Sequence, residues 1–242
     1  MVKELATETQ QSFTANTFLQ GVKDCVPTLL GYISIGIAFG VVGVASGISV
    51  LEVFLLSVLV YAGSAQFIFC GLYIAGAPVT AIVVTIFIVN LRHLLMALSI
   101  APYFTKYSTL QNIGFGTLLT DETFGVAVTT ASKEKRLGGS WMNGLNVTAY
   151  TVWIASCTVG GLVGNYLPDP ERWGLDYALV AMFIALLVLT LNNVPKTKLI
   201  QSIKIIFLVI GFMYILHYFV PGHLAVLIAT IIAATVGVVT EK

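Results

Sequence analysis

Three short polar clusters interrupt otherwise apolar stretches of this chain: Gly63-Ser64-Ala65-Gln66, Asn90-Leu91-Arg92-His93 and Asp121-Glu122-Thr123. A charge at the centre of a membrane helix costs about 2.5–3.5 kcal/mol on insertion scales, so each such group asks for a partner, a wet cavity or a task. Arg92 set against Asp121 or Glu122 would form an ion pair that lowers the cost of burying both. Successive helical residues point about 100° apart, so the two adjacent carboxylates cannot face one guanidinium equally well. One can pair while the other takes up and releases a proton, which would couple transport to a proton gradient. The plainer alternative for the same residues is a structural salt bridge that fixes helix packing.

Gly63 and Ser64 have two readings. Small residues let transmembrane helices approach closely. Alternatively the chain unwinds there, freeing backbone groups to face a substrate at mid-depth, with Ser64 and Gln66 adding hydrogen bonds. Gly31, Gly36 and Gly40 recur at about one helical turn and read as a close-packing stripe. His93 could shuttle a proton beside Arg92 or serve as a hydrogen-bonded packing residue. His217 and His223 flank Pro221-Gly222 and read as a turn; without a nearby carboxylate they make no zinc site. Cys25, Cys70 and Cys157 are odd in number and lack C-x-x-C spacing, which points to packing rather than disulfides or ligands. No metal and no cofactor is expected. Asp169, Glu171, Arg172 and Asp176 form a charged loop, with Asp176 at a helix start where the positive dipole end suits it. Asn143, Asn146, Asn192 and Asn193 read as helix caps or as the lining of a vestibule.

The elements that must position these groups follow from hydropathy. Of the 242 residues, 57% are hydrophobic and 10% charged, against about 25% charged in soluble domains. The apolar residues come in runs of about 20, the length a helix needs to cross a bilayer. The expected fold is therefore all-α, a polytopic helix bundle with spans near 26–46, 52–75, 78–101, 110–132, 141–164, 176–193, 201–219 and 222–239. The fourth is interrupted by Asp121 and Glu122, but the basic residues argue for keeping it. With eight spans and both termini cytoplasmic, Lys3, Lys23, Lys133, Lys135, Arg136, Lys196, Lys198, Lys204 and Lys242 lie inside, leaving Lys106 and Arg172 outside. The organisation expected is a cytoplasmic segment over 1–25, with no cleaved signal peptide, and a single transport domain over 26–240. A net charge of +1 with no block of like charge gives no reason to expect nucleic acid.

Read in order, GYISIGIAFG at 31–40, VYAGSAQF at 60–67, NLRHLLMALS at 90–99, the DE pair at 121–122 and GLDYALVAMFIALL at 174–187 resemble the AzlC-type large subunits of branched-chain amino acid exporters. The resemblance implies an inner-membrane permease that exports branched-chain amino acids and methionine using the proton motive force. It also implies a partner, a small AzlD-type membrane subunit. The positions matching those segments are Gly63, Ser64, Gln66, Asn90, Arg92, His93, Asp121, Glu122 and Asp176.

A zwitterionic amino acid needs donors for its carboxylate, an acceptor for its ammonium and an apolar pocket for its side chain. Arg92 or freed amides near Ser64 suit the carboxylate, and Asp121 or Glu122 suits the ammonium in competition with a proton. Gln66 and Asn90 join the substrate-binding set, His93 the proton-coupling set, and Phe67, Phe87 and Phe124 are candidates for the pocket. Two other classes compete: an intramembrane serine hydrolase with Ser64 as nucleophile and His93 as base, and a non-transporting assembly subunit whose buried charges serve folding alone.

Overall fold

The computed structural model describes residues 17–134, 137–167 and 196–220, together with single positions from 172 to 194 and from 225 to 237. Every element among the described residues is helical. The chain forms two compact units, residues 1–179 and 180–242. In the first, α1 (Phe18–Ala45) is followed by two short helices, α2 (Val50–Leu59) and α3 (Gly63–Ile74). The long α4 (Val79–Ile100) ends in a 3-10 turn (Ala101–Phe104) and is again followed by two short helices, α5 (Thr109–Thr117) and α6 (Asp121–Glu134), before α7 (Gly139–Gly164). The second unit contains α8 (Lys196–Leu216) and helical positions between 225 and 237.

The long helices α1 and α7 run parallel in close contact. Phe18 meets Gly144, Gly36 meets Ser156 and Cys157, and Val41 meets Gly164, so residue numbers rise together along both. A Cβ added at Gly40 would run into the backbone of Cys157, Gly160 and Gly161, and one at Gly160 into the backbone of Ile37. Small residues on both sides thus let two backbones touch without a layer of side chains between them. Gly36 and Gly40 belong to this contact as expected. Gly31 does not: it is exposed, with open space where a Cβ would go.

The segments expected as through-running spans at 52–75 and 110–132 are corrected by the structure: each is a helical hairpin. Following α3 along α1, Tyr61 lies beside Tyr32, Phe67 beside Phe39, and Cys70 beside Ser46. The chain therefore climbs back to the end of α1 from which α2 descended. Gln66 Nε2 donates to Ser57 Oγ at 3.2 Å, across a pair that a straight helix would hold about 13 Å apart along its axis. The reversal occurs at Tyr61, which adopts a positive φ of 43°. The second hairpin enters from the opposite face. Tyr107, just before α5, takes a hydrogen bond from the Gly139 amide, while α6 ends at Glu134, five residues before Gly139. A straight helix from 109 to 134 would separate its ends by about 37 Å, more than the connecting residues can span.

Serine caps open both hairpins. Ser49 with Glu52 and Ser108 with Gln111 each form a reciprocal capping box, which satisfies the first orphan amides of α2 and α5. A long helix followed by a hairpin thus occurs twice, inserted from opposite faces, which is the plan of an inverted repeat. Composition showed no sign of it.

Re-entrance also moves Lys106, expected on the outer side, to the face where α1 and α7 begin, together with Lys23 and Lys133. The connections at the other face, 46–49, 75–78 and 165–167, carry no Lys or Arg. Two further boundaries differ. α1 starts at Phe18 rather than 26, because Thr17 caps it by accepting from the Gln20 amide at 3.2 Å. Asn143 and Asn146 lie inside α7 and are not its caps, since α7 begins at Gly139. The expected spans at 176–193 and 222–239 fall largely outside the described residues, as do Asp169, Glu171, Asp176, Asn192, Asn193 and His223.

Candidate functional site

The three long helices of the first unit each bring their midpoint to one place. Tyr32 is the fifteenth of the 28 residues of α1, Arg92 the fourteenth of the 26-residue apolar stretch Val79–Phe104, and Trp153 the fifteenth of the 26 of α7. Between them stand the two hairpin tips, Tyr61–Gln66 and Thr120–Thr123.

Arg92 joins the tips. Its Nη2 donates to Ser64 Oγ at 2.7 Å and its Nη1 lies 2.6 Å from Asp121 Oδ2. The side chains of Arg92 and Asp121 are 28% and 25% exposed, so the pair sits at the edge of the packed interior. Arg92 Nε is buried without a partner, leaving one guanidinium donor unused. Of the two carboxylates, Asp121 therefore takes the arginine. Glu122 turns the other way, where Oε2 accepts from the Tyr32 hydroxyl at 3.1 Å, and Tyr32 also hydrogen-bonds Thr120.

The tips differ in how their helix starts are satisfied. At α6, Thr120 and Thr123 bond each other through hydroxyl and amide in both directions. At α3 the cap position is Ala62, which offers no side-chain acceptor. The first amides of α3 are thus left for another acceptor, at the positive end of the helix dipole. Gly63 is held against the Trp153 ring, where a Cβ would lie 3.0 Å from Cη2 and 3.3 Å from Cζ2. Gln66 is wholly buried, accepting from Trp153 Nε1 at 3.0 Å while donating to Ser57. It braces the first tip rather than lining an open site.

Other expected residues are placed elsewhere. Asn90 lies about 200° around α4 from Arg92, with its Oδ1 buried and unpartnered. His93 turns back onto the Asn90 carbonyl. Ser64 Oγ accepts from Arg92, and a guanidinium cannot serve as a base. Phe67 is buried against Phe39 at 5.6 Å between ring centres, whereas Phe87 is 65% exposed on the outer side of α4 and does not reach the tips. The three cysteines are buried and unbridged. Among the described residues no group of three metal-ligating side chains occurs.

Tyr32, Tyr61, Thr120 and Trp153 were not singled out from the sequence. Tyr32 sits in the middle of the first apolar run, and that mid-run polarity was the available signal. Trp153 carried none, since a tryptophan in an apolar run is ordinary core.

A family model described as AzlC protein matches residues 27–167, which covers both hairpins, α4, α7 and most of α1. The chain is 29% identical over 179 residues to the inner membrane protein YgaZ of Escherichia coli K12, covering 71% of this chain and 72% of the relative. It is 32% identical over 178 residues to an uncharacterized membrane protein of Archaeoglobus fulgidus, covering 73% and 77%. It is 28% identical over 167 residues to a Bacillus subtilis 168 protein named branched-chain amino acid transport protein AzlC, covering 67% and 63%. No solved structure matches the chain.

Proposed function

Given that the chain belongs to the AzlC protein family, we propose that it is a proton-coupled secondary transporter that exports leucine, isoleucine, valine and methionine across the cytoplasmic membrane. The observation that carries this reading is the Ser64–Arg92–Asp121 chain of contacts between two opposed hairpin tips at mid-depth. A zwitterion can insert into an ion pair without burying net charge. Its carboxylate takes Arg92, Ser64 and the uncapped amides of α3, and its ammonium takes Asp121. Each protein charge exchanges one partner for another, so the desolvation cost that makes isolated buried charges unstable does not arise. Glu122, which stands off the arginine, is the group assigned to carry the coupling proton.

The basic residues Lys23, Lys106 and Lys133 support a cytoplasmic position for the face where α1 and α7 begin. Hairpin 2 (α5 and α6) then enters from the cytoplasm and hairpin 1 (α2 and α3) from outside, so each tip faces one aqueous side. Alternating access follows if one hairpin opens at a time. A small AzlD-type membrane subunit is proposed as the partner. Asp176 is kept as a helix-start acid of the outer loop.

The test is efflux of preloaded radiolabelled leucine, isoleucine, valine and methionine from proteoliposomes under an imposed pH gradient, with and without the small subunit. Gradient-dependent flux in the wild type that is lost in Glu122→Gln supports the reading. Absence of flux for all four substrates, with the partner present, overturns it.

A further inference from the structure

Tyr32 belongs to neither tip and touches both. It is 3% exposed, its ring meets Trp153 edge-on at 5.7 Å, and its hydroxyl is bonded to Glu122 and Thr120 on hairpin 2. On its other side lies Tyr61, the reversal residue of hairpin 1. The Tyr61 hydroxyl is buried beside that of Tyr32 yet completes no well-formed hydrogen bond. An unpartnered buried hydroxyl is costly, and the positive φ of Tyr61 adds strain at the same residue. Such outliers persist where the surrounding structure uses them.

We propose that Tyr32 is the positioning residue that couples the two hairpins. While Glu122 is charged, the Tyr32 hydroxyl donates to it, as in the structure. When Glu122 takes a proton, its charge-assisted hydrogen bond becomes a neutral one of about half the strength. The Tyr32 hydroxyl then rotates about its C–O bond and donates to Tyr61. The O–H bond formed on the Glu122 carboxyl takes its proton from hydronium on the aqueous side, which is left as water; Tyr32 keeps its own proton throughout. Protonation on hairpin 2 is thereby reported to the tip of hairpin 1 across the middle of the membrane. The ring need not move, because α1 is locked backbone to backbone on α7.

The titratable and charged groups that face this relay are Asp121 on α6, Cys25 on α1, and Tyr61 with Tyr150, whose rings meet edge-on at 4.8 Å, while Arg92 and His93 on α4 face Asp121. Arg92 is already committed to Asp121 and Ser64. With the Thr120 hydroxyl donating to the Tyr32 oxygen, the Tyr32 proton has one acceptor on each side, Glu122 and Tyr61. The proposal rests on the reading of Glu122 as the coupling group, and its test separates the two.

Full-length wild type, Tyr32→Phe, Tyr61→Phe and Glu122→Gln are reconstituted together with the small subunit. Two quantities are compared: leucine–leucine exchange at equal pH, and net leucine flux driven by a pH gradient. The expected result is that Tyr32→Phe keeps exchange within about twofold of wild type but loses gradient-driven flux by about tenfold, the worth of one charge-assisted hydrogen bond. Tyr61→Phe is expected to behave alike. If Glu122→Gln loses gradient-driven flux while Tyr32→Phe retains it, the relay is overturned and the Glu122 reading stands. Equal loss of exchange and driven flux in Tyr32→Phe also overturns it, since that is the signature of a structural role. If Glu122→Gln itself remains fully coupled, or wild type shows no flux, the Glu122 reading falls and the relay with it.

Discussion

The α1–α7 pair and the two hairpin tips meet within one unit yet are built on opposite rules. Between α1 and α7 the closest contacts are glycine against backbone, with one polar side-chain contact near the start of both helices, where Trp141 Nε1 donates to Asp24 at 2.8 Å. At the tips hydrogen bonds and an ion pair stand beside the ring contacts, one residue is held at positive φ, and buried donors and acceptors remain unpartnered. The first region fixes position through repulsion, because nothing larger fits. The second holds position through attractions that a ligand or proton can replace. A transporter needs both: a frame that does not yield and a site whose partners can be exchanged.

Substitutions separate the two regimes. Gly40→Val is expected to have the largest effect, since its side chain would overlap the backbone of Cys157 and Gly161. A loss of about 3 kcal/mol or more should appear as absence of a folded, monodisperse protein in detergent. A wild-type melting curve for this variant would show that α1 and α7 can separate, and would break the comparison.

At the tips, Arg92→Gln should abolish leucine flux at a cost of about 2 kcal/mol. That is below the loss for a fully buried pair, because both partners are about a quarter exposed. The Arg92→Gln/Asp121→Asn double variant should regain most of the stability, since no charge is left unpaired, while flux stays lost. Recovery of flux in the double variant would mean that the pair serves folding alone, as in the assembly-subunit reading.

Trp153→Phe removes the donor to Gln66 and the outer ring atoms that meet Gly63. Its expected cost is about 1–2 kcal/mol, read from thermal unfolding. Gly31→Ala, at the one glycine of the expected stripe that faces open space, should change stability by less than about 0.5 kcal/mol. Contrasted with Gly40→Val, it sharpens the claim that contact and not glycine content makes the frame.

Much of the site was legible because burying charge in an apolar run is costly wherever it occurs. Ser64, Arg92, Asp121 and Glu122 stood out on that ground, and the argument that adjacent carboxylates must face different ways anticipates the split between Asp121 and Glu122. Tyr32, Tyr61, Thr120 and Trp153 did not stand out. Each is ordinary in its local run, and the hydrogen bonds of Tyr32 and Trp153 join residues 87 to 90 positions apart. Phe87 illustrates the converse: its position in the sequence placed it near Arg92, and helix rotation carried it to the outer side.

By itself the sequence determined that this chain lives in a bilayer, that its elements are helices, and which charged groups lie at depth, since hydropathy and insertion cost are properties of residues summed along a segment. Only the tertiary structure decided that two of those segments turn back. Whether an apolar helix runs on or reverses depends on a single backbone angle at Tyr61 and on the partners that Gln66, Phe67 and Cys70 find on returning. Those partners come from other parts of the chain, and no local property of residues 60–62 or 118–120 records them.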